Sequence, residues 1–274
     1  MGESRHGRAM YTDIDFVNVD FIPDGEAYPD RWQEEGLSYR KGKAAIGHAR
    51  LNVAYGAGER QKFDLFYPAG LPEGLVVFVH GGYWLRFDRS YWSQFAEGLT
   101  HRGWAVAMPS YTLAPEARIR DIKVEIARAV EKAAELVAGP IYLAGHSAGG
   151  QLVARLGCRV VALATEVRNR LGRIVPISPV SVLRPMLNFS MNESLRLDVE
   201  EASAESPVLH EAPHTPVTVW VGAEERPVFL DQAIALSEVW NAELRVDPGR
   251  HHFDVIDGLM HPESPLVESI LKGV

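Results

Sequence analysis

The chain has 274 residues, 46% of them hydrophobic and 23% charged, with a formal charge of −8, a balance that describes a globular protein able to bury a sizeable core. No apolar run approaches the ~18 residues of a membrane span, and no cluster of Lys and Arg offers a surface to nucleic acid or anionic lipid, so neither is expected as a partner. A single cysteine, Cys158, excludes an internal disulfide framework, and the opening stretch MGESRHGRAMYTDIDF lacks the apolar core of a secretory signal, so the expected location is cytoplasmic.

Residues 1–45 are polar and irregular, with Pro23, Pro29 and Trp32 interleaved, and read as an arm over a single domain spanning 46–274. Residues 51–55 and 62–67 alternate apolar with polar, like two antiparallel edge strands joined by Gly56-Ala57-Gly58. That glycine pair lacks the third glycine and the following helix of a dinucleotide loop. From there uninterrupted apolar strands at 75–79, 104–108, 141–144, 174–177, 217–221 and 244–246 alternate with helical periodicity at 90–101, 119–137, 148–163 and 227–240. This alternation predicts an α/β fold with a mostly parallel sheet covered by helices on both faces. Residues 181–215 break the pattern with short helical pieces at 193–197 and 199–204, and are predicted to form a small cap over the C-terminal edge of the sheet, where ligands bind in open α/β folds.

The third apolar strand runs into Gly145-His146-Ser147-Ala148-Gly149, the G-x-S-x-G pattern of a sharp strand-to-helix turn that exposes one serine hydroxyl. Glycines two before and two after Ser147 let strand and helix approach, and the amide of Ala148 at the helix start can stabilise an oxyanion. A serine hydroxyl needs a base within hydrogen-bond reach and a carboxylate to orient that base. In folds built around this turn the chain order is serine, acid, histidine. The loop after 217–221 supplies adjacent glutamates, Glu224 and Glu225, and the loop after 244–246 supplies adjacent histidines, His251 and His252; neighbours on a loop point different ways, so one of each pair is expected to serve. His251, His252 and Asp254 lack the spacing and further ligands of a metal site, so no metal is expected. After the first buried strand, His80-Gly81-Gly82-Tyr83-Trp84 forms a glycine loop whose amides can complete an oxyanion hole, Gly82 with Gly81 or Tyr83 beside it. His80 and His146 fall outside the triad order and are expected to brace the loop and to pack behind the serine. Tyr83 and Trp84 adjoin the oxyanion loop and are the candidate walls of a pocket for a planar substrate.

With these pieces assembled, the chain from residue 51 onward resembles the metal-independent kynurenine formamidases (arylformamidases) of the α/β-hydrolase superfamily, a group close to the HGGG esterases. The resemblance rests on HGGYW at 80–84, YGAGERQKFDLFYP at 55–68, GHSAGG at 145–150, Leu183-Arg184-Pro185, the cap stretch MNESLRLDVEEASAESP and His252-Phe253-Asp254. It implies Ser147 as nucleophile, His252 as base and Glu225 as acid, since the family's acid lies two residues before a proline, as Glu225 does before Pro227. The family usually has aspartate there, so this chain departs by one methylene. The implied reaction is cofactor-free hydrolysis of N-formyl-L-kynurenine to formate and L-kynurenine, in tryptophan degradation. The alternative is a carboxylesterase acting on small acyl esters. The expected partner is thus a small aromatic amide or ester, and homodimerisation is left open.

Overall fold

The structure is a computed structural model that describes residues 11–272; the first ten residues of the expected arm, with most of the stretch read for a secretory signal, lie outside the described residues. Eight strands, β1 (Ala49–Ala54), β2 (Lys62–Phe66), β3 (Leu75–Val79), β4 (Ala105–Pro109), β5 (Ile141–His146), β6 (Leu171–Ile177), β7 (Thr218–Gly222) and β8 (Glu243–Asp247), form one sheet in the order β1-β2-β4-β3-β5-β6-β7-β8. β2 runs antiparallel to both β1 and β4, and the strands from β4 to β8 are mutually parallel. Every residue of β3, β4, β5 and β7 is buried, as a sheet covered on both faces requires. β1, at the edge, alternates half-buried and exposed residues, which is the period-two pattern of its sequence. Alternation also sorts the core. Leu75, Val77 and Val79 of β3 enter one apolar cluster and Val76 and Phe78 the cluster on the opposite face.

The helices are α1 (Tyr28–Ala45), α2 (Glu97–His101), α3 (Ile119–Ala134), α4 (Ala148–Gly157), α5 (Thr165–Arg170), α6 (Asn192–Leu195), α7 (Val199–Ala204), α8 (Pro227–Trp240) and α9 (Pro265–Leu271). None among the described residues is long and apolar enough to cross a membrane. Several differ from the sequence-based expectation, α5 and α9 being absent from it. α1 replaces the irregular end of the expected arm: it buries only Tyr28, Trp32 and Gly36, a stripe one residue wide that leaves little apolar periodicity to read. At Gly36 a Cβ would stand 1.9 Å from the Ser90 carbonyl, so the helix presses directly on the chain there. The expected helix over 90–101 is broken into two 3-10 turns, Arg89–Tyr91 and Ser93–Ala96, before α2. The helix expected over 148–163 stops at Gly157.

Residues 181–215 carry α6, α7 and two 3-10 turns, Arg184–Asn188 and Pro207–Leu209. Ion pairs hold the segment to α3 and α4. Arg118 bonds Asp198 at 2.7 Å and also meets Glu201, while Glu205 pairs with Lys123 and, at 3.3 Å, with Arg155. Arg155 and Glu205 are 3% and 2% exposed, so each needs the other to compensate lost hydration. Removing the carboxylate strands a buried guanidinium. Glu205→Ala is therefore expected to lower the unfolding free energy by about 3–5 kcal/mol in urea titrations; a loss of a few tenths would show that water reaches Arg155.

Candidate active site

β5 ends in a turn that reverses into α4 within one residue. Ser147 carries that reversal with φ 55° and ψ −114°, a conformation that costs of order 1–3 kcal/mol and persists only where the surroundings over-determine it. The surroundings do so. The Ser147 amide donates to the Ile177 carbonyl at 2.8 Å and the Gln151 amide donates to the Ser147 carbonyl at 3.0 Å. A Cβ at Gly149 would lie 2.0 Å from the Val79 carbonyl oxygen, and one at Gly145 would lie 2.4 Å from the Gly149 carbonyl oxygen. Only glycine at both positions lets α4 leave β5 at this angle. Ala148, the first residue of α4, presents an amide with no intrahelical acceptor.

The register Val79↔Gly145 between the parallel strands β3 and β5 sets residues 80–82 beside Ser147. Gly81 packs against the serine: a Cβ there would be 3.1 Å from Ser147 Cβ. His80 Nδ1 donates to the Gly81 carbonyl at 2.7 Å, and because C=O and N–H of a trans peptide point opposite ways, this bond turns the Gly82 amide away from His80. The Gly82 carbonyl accepts the amides of Leu85 and Arg86, both at 3.0 Å, which turns the Tyr83 amide away in the same manner. Neither the Gly82 nor the Tyr83 amide meets an acceptor among the described residues. His80 stacks on Tyr111 at 4.4 Å and accepts a hydrogen bond at its own carbonyl from the Tyr111 hydroxyl at 3.1 Å. Burial pushes the His80 imidazole down to about 4, so it remains neutral and keeps the Nδ1 proton it donates.

Beyond β7, Glu225 is buried and Glu224 exposed. Glu225 Oε2 accepts from His252 Nδ1 at 2.6 Å, and Oε1 accepts from the Gly222 amide at 2.9 Å and from the Ser178 hydroxyl. The adjacent imidazoles diverge. His252 is 3% exposed, whereas His251 turns away, bonding the Tyr28 hydroxyl at 3.1 Å and taking the Asp254 carboxylate. His146 Nε2 donates to the His252 carbonyl at 2.8 Å and so ties the loop after β8 to the elbow. Burial, with His252 nearby, lowers the His146 imidazole well below its usual range. Its other ring nitrogen has no partner among the described residues.

Ser147 and His252 open on one cavity of about 280 Å³, also lined by Gly82 and Tyr83. No direct hydrogen bond between the Ser147 hydroxyl and the His252 ring occurs among the described residues; such bonds commonly tighten only around substrate. The combination can take a proton from a hydroxyl, hold it on an imidazole neutralised by a buried carboxylate, and meet a developing negative charge with backbone amides. Trp84 corrects one expectation. It does not line the cavity but is wholly buried in the core, its carbonyl accepting the Ala114 amide at 2.8 Å. Tyr83 and Trp84 have φ of 53° and 59°, so the chain curls and the second ring turns inward.

Much of the remaining wall comes from the segment expected only as an arm. Phe16, Val17, Asn18, Val19 and Trp32 line the cavity, with Phe87, Trp92, Met191 and Phe253. This strap is anchored at several points. The Tyr83 hydroxyl donates to the Phe16 carbonyl at 2.6 Å, Arg226 donates to the Ile14 carbonyl at 3.1 Å, and Asp13 accepts the Ser190 amide at 3.0 Å. Tyr11 donates to Asp231 of α8. The aromatic residues interleaved at 11–32 were the available sign of this role.

Comparison with known proteins adds the following. A family model described as alpha/beta hydrolase fold matches residues 76–243. Kynurenine formamidase of Salmo salar is 27% identical over 260 residues, covering 87% of this chain and 85% of that protein. The kynurenine formamidase of Drosophila melanogaster is 29% identical over 228 residues, 75% of each chain. Among solved structures, a candidate thioesterase from Silicibacter sp. TM1040 superposes with a TM-score of 0.92 at 51% identity, covering 94% of this chain and 98% of that one.

The neutral buried His80 makes stability depend on pH. Its folded value of about 4 lies below the ordinary 6.5, so the unfolded chain binds the proton first and stability present above pH 6.5 is lost as pH falls toward 4. Urea unfolding at successive pH values should show this loss, and His80→Gln should reduce it, leaving the share of the buried His146. An unchanged slope in that variant would assign the loss to other groups.

Proposed function

The chain belongs to the alpha/beta hydrolase fold family and is a hydrolase, and from that premise we propose that it cleaves aryl formamides, N-formyl-L-kynurenine foremost, through Ser147, His252 and Glu225. The observation that carries the reading is the buried Glu225–His252 pair facing the same aromatic-walled cavity as Ser147. The kynurenine formamidases among its relatives support the substrate.

Ser147 Oγ attacks the formyl carbon while its proton passes to His252 Nε2, and Glu225 stabilises the imidazolium through Nδ1–H. The carbonyl oxygen becomes an oxyanion received by the amides of Ala148 and Gly82, with Gly81 packed against the serine. His252 then returns the proton to the aryl nitrogen, the C–N bond breaks, and the arylamine leaves. Water, deprotonated by His252, attacks the formyl ester; formate departs and Ser147 recovers its proton. Glutamate in place of aspartate is accommodated because Oε1 is tethered by Gly222 and Ser178 while Oε2 reaches the imidazole. A thioester or short ester is the second reading, favoured by the Silicibacter relative, because the same acyl-enzyme forms whatever atom leaves.

Ser147→Ala should abolish turnover, and Glu225→Ala should lower kcat by roughly 10⁴-fold, whereas Glu224→Ala should leave it within about twofold, as for an exposed side chain. Loss in the Glu224 variant alone would transfer the acid's role. The substrate is tested by kcat/KM for N-formyl-L-kynurenine against p-nitrophenyl acetate and acetyl-coenzyme A. Formamide turnover should lead; an ester or thioester advantage of orders of magnitude would overturn the substrate and leave the triad standing.

A further inference from the structure

Phe229 stands in the first turn of α8, shortly after Glu225. It is wholly buried, and its ring centre lies 4.0 Å from that of the His252 imidazole, the two planes inclined by 33°. That separation is shorter than the roughly 4.5–7 Å usual for aromatic pairs, so the contact is between ring faces. Phe229 is not one of the residues lining the cavity; it addresses the imidazole and not a ligand. The stretch 225–229 therefore supplies His252 twice, Glu225 accepting from its Nδ1 edge at 2.6 Å and Phe229 covering its face. The start of α8 fixes the two relative to each other, the Phe229 amide donating to the Arg226 carbonyl at 2.9 Å. Phe229 is held in turn by Phe16 of the strap, whose ring meets it edge-on at 5.7 Å.

Packing alone gives no reason for a ring here, since a leucine would also fill apolar space. The chemistry gives one. His252 is 3% exposed, so an imidazolium formed there meets little water, and Glu225 compensates it at one edge only. Among the described residues the titratable groups facing the imidazole are Glu225, His146 at the elbow and the adjacent His251. Burial lowers both of these histidines, so neither adds a charge of its own near neutral pH. Of the other rings, His146 lies at 4.7 Å and Phe253 at 6.2 Å, both farther than Phe229. A phenyl face carries the negative side of the ring quadrupole and attracts a cation within about 6 Å of its centre.

We propose that Phe229 is a positioning residue for the hydrolysis, its ring face holding the His252 imidazole in line with Glu225 and stabilising the cation that forms when Ser147 gives up its proton. The assignment rests on the reading of Ser147, His252 and Glu225 as the triad.

The test replaces Phe229 in the full chain by 4-fluoro-, 3,5-difluoro- and 3,4,5-trifluorophenylalanine, which drain electron density from the ring face while nearly keeping its shape. Across this series kcat for N-formyl-L-kynurenine and for p-nitrophenyl acetate should fall stepwise, reaching between about twofold and thirtyfold, the range of a cation–π contact. KM should stay within about twofold, as for a residue outside the cavity. Losing the ring's attraction disfavours the protonated imidazole, so the acid limb of the kcat/KM profile should move to lower pH by about 0.3–1.5 pH units, and the NMR titration of the His252 ring should move with it. A kcat and a titration midpoint that ignore fluorination would overturn the assignment, even if Phe229→Leu were inactive, because the ring would then serve by shape alone. Should the trifluoro variant not fold, the 4-fluoro variant carries the same comparison. A midpoint that falls with fluorination in a chain that cleaves no formamide would overturn the formamidase reading alone; formamide cleavage indifferent to fluorination would overturn this assignment alone.

Discussion

A carboxylate buried away from water must be met by donors, and at Glu225 that requirement draws the ends of three strands together. Gly222 closes β7, Ser178 follows β6 and His252 follows β8, and each donates to the same two oxygens. A one-residue slip of β6 or β8 against β7 would leave the charge short of a donor, at a cost of several kcal/mol. The site therefore acts as a check on the register of the sheet's parallel half. Its electrostatics are a product of the topology and need no separate scaffold.

The other half of the site is governed by backbone approach. Gly145 and Gly149 let α4 press against the end of β3, and Gly81 lies so close to Ser147 that an added methyl group would stand 3.1 Å from its Cβ. The two histidines flanking these contacts, His80 and His146, are kept neutral by burial and each spends its N–H on a carbonyl, Gly81 in one case and His252 in the other. Neutral imidazoles can serve as fixed struts in an apolar setting where a charged side chain would demand a counter-ion.

What could be read in the sequence followed from how local each requirement is. Ser147, Gly145 and Gly149 stand within five residues because the turn itself demands them, and the buried strands announce themselves as unbroken apolar runs. Glu225 was distinguishable from Glu224 only through its spacing to Pro227, and the structure buries the former and exposes the latter. Trp84 could not be separated from Tyr83, since which of two consecutive rings turns inward depends on φ values that no side-chain pattern encodes. The strap was illegible for a different reason. Residues 13–21 form two 3-10 turns too short for any period, and their partners, Tyr83, Ser190 and Arg226, are remote in sequence, as Asp231 is from Tyr11.

That remoteness bears on how the molecule is made. Tyr11 and its acceptor Asp231 are separated by 220 positions, so at ordinary translation speeds the strap emerges roughly 10–40 s before the helix it docks on. Phe16 lacks its ring partners Phe189 and Phe229 for most of that interval, and the ribosome-bound chain carries it uncovered. A nascent hydrolase of this design therefore completes one wall of its cavity late in synthesis, from a segment made early.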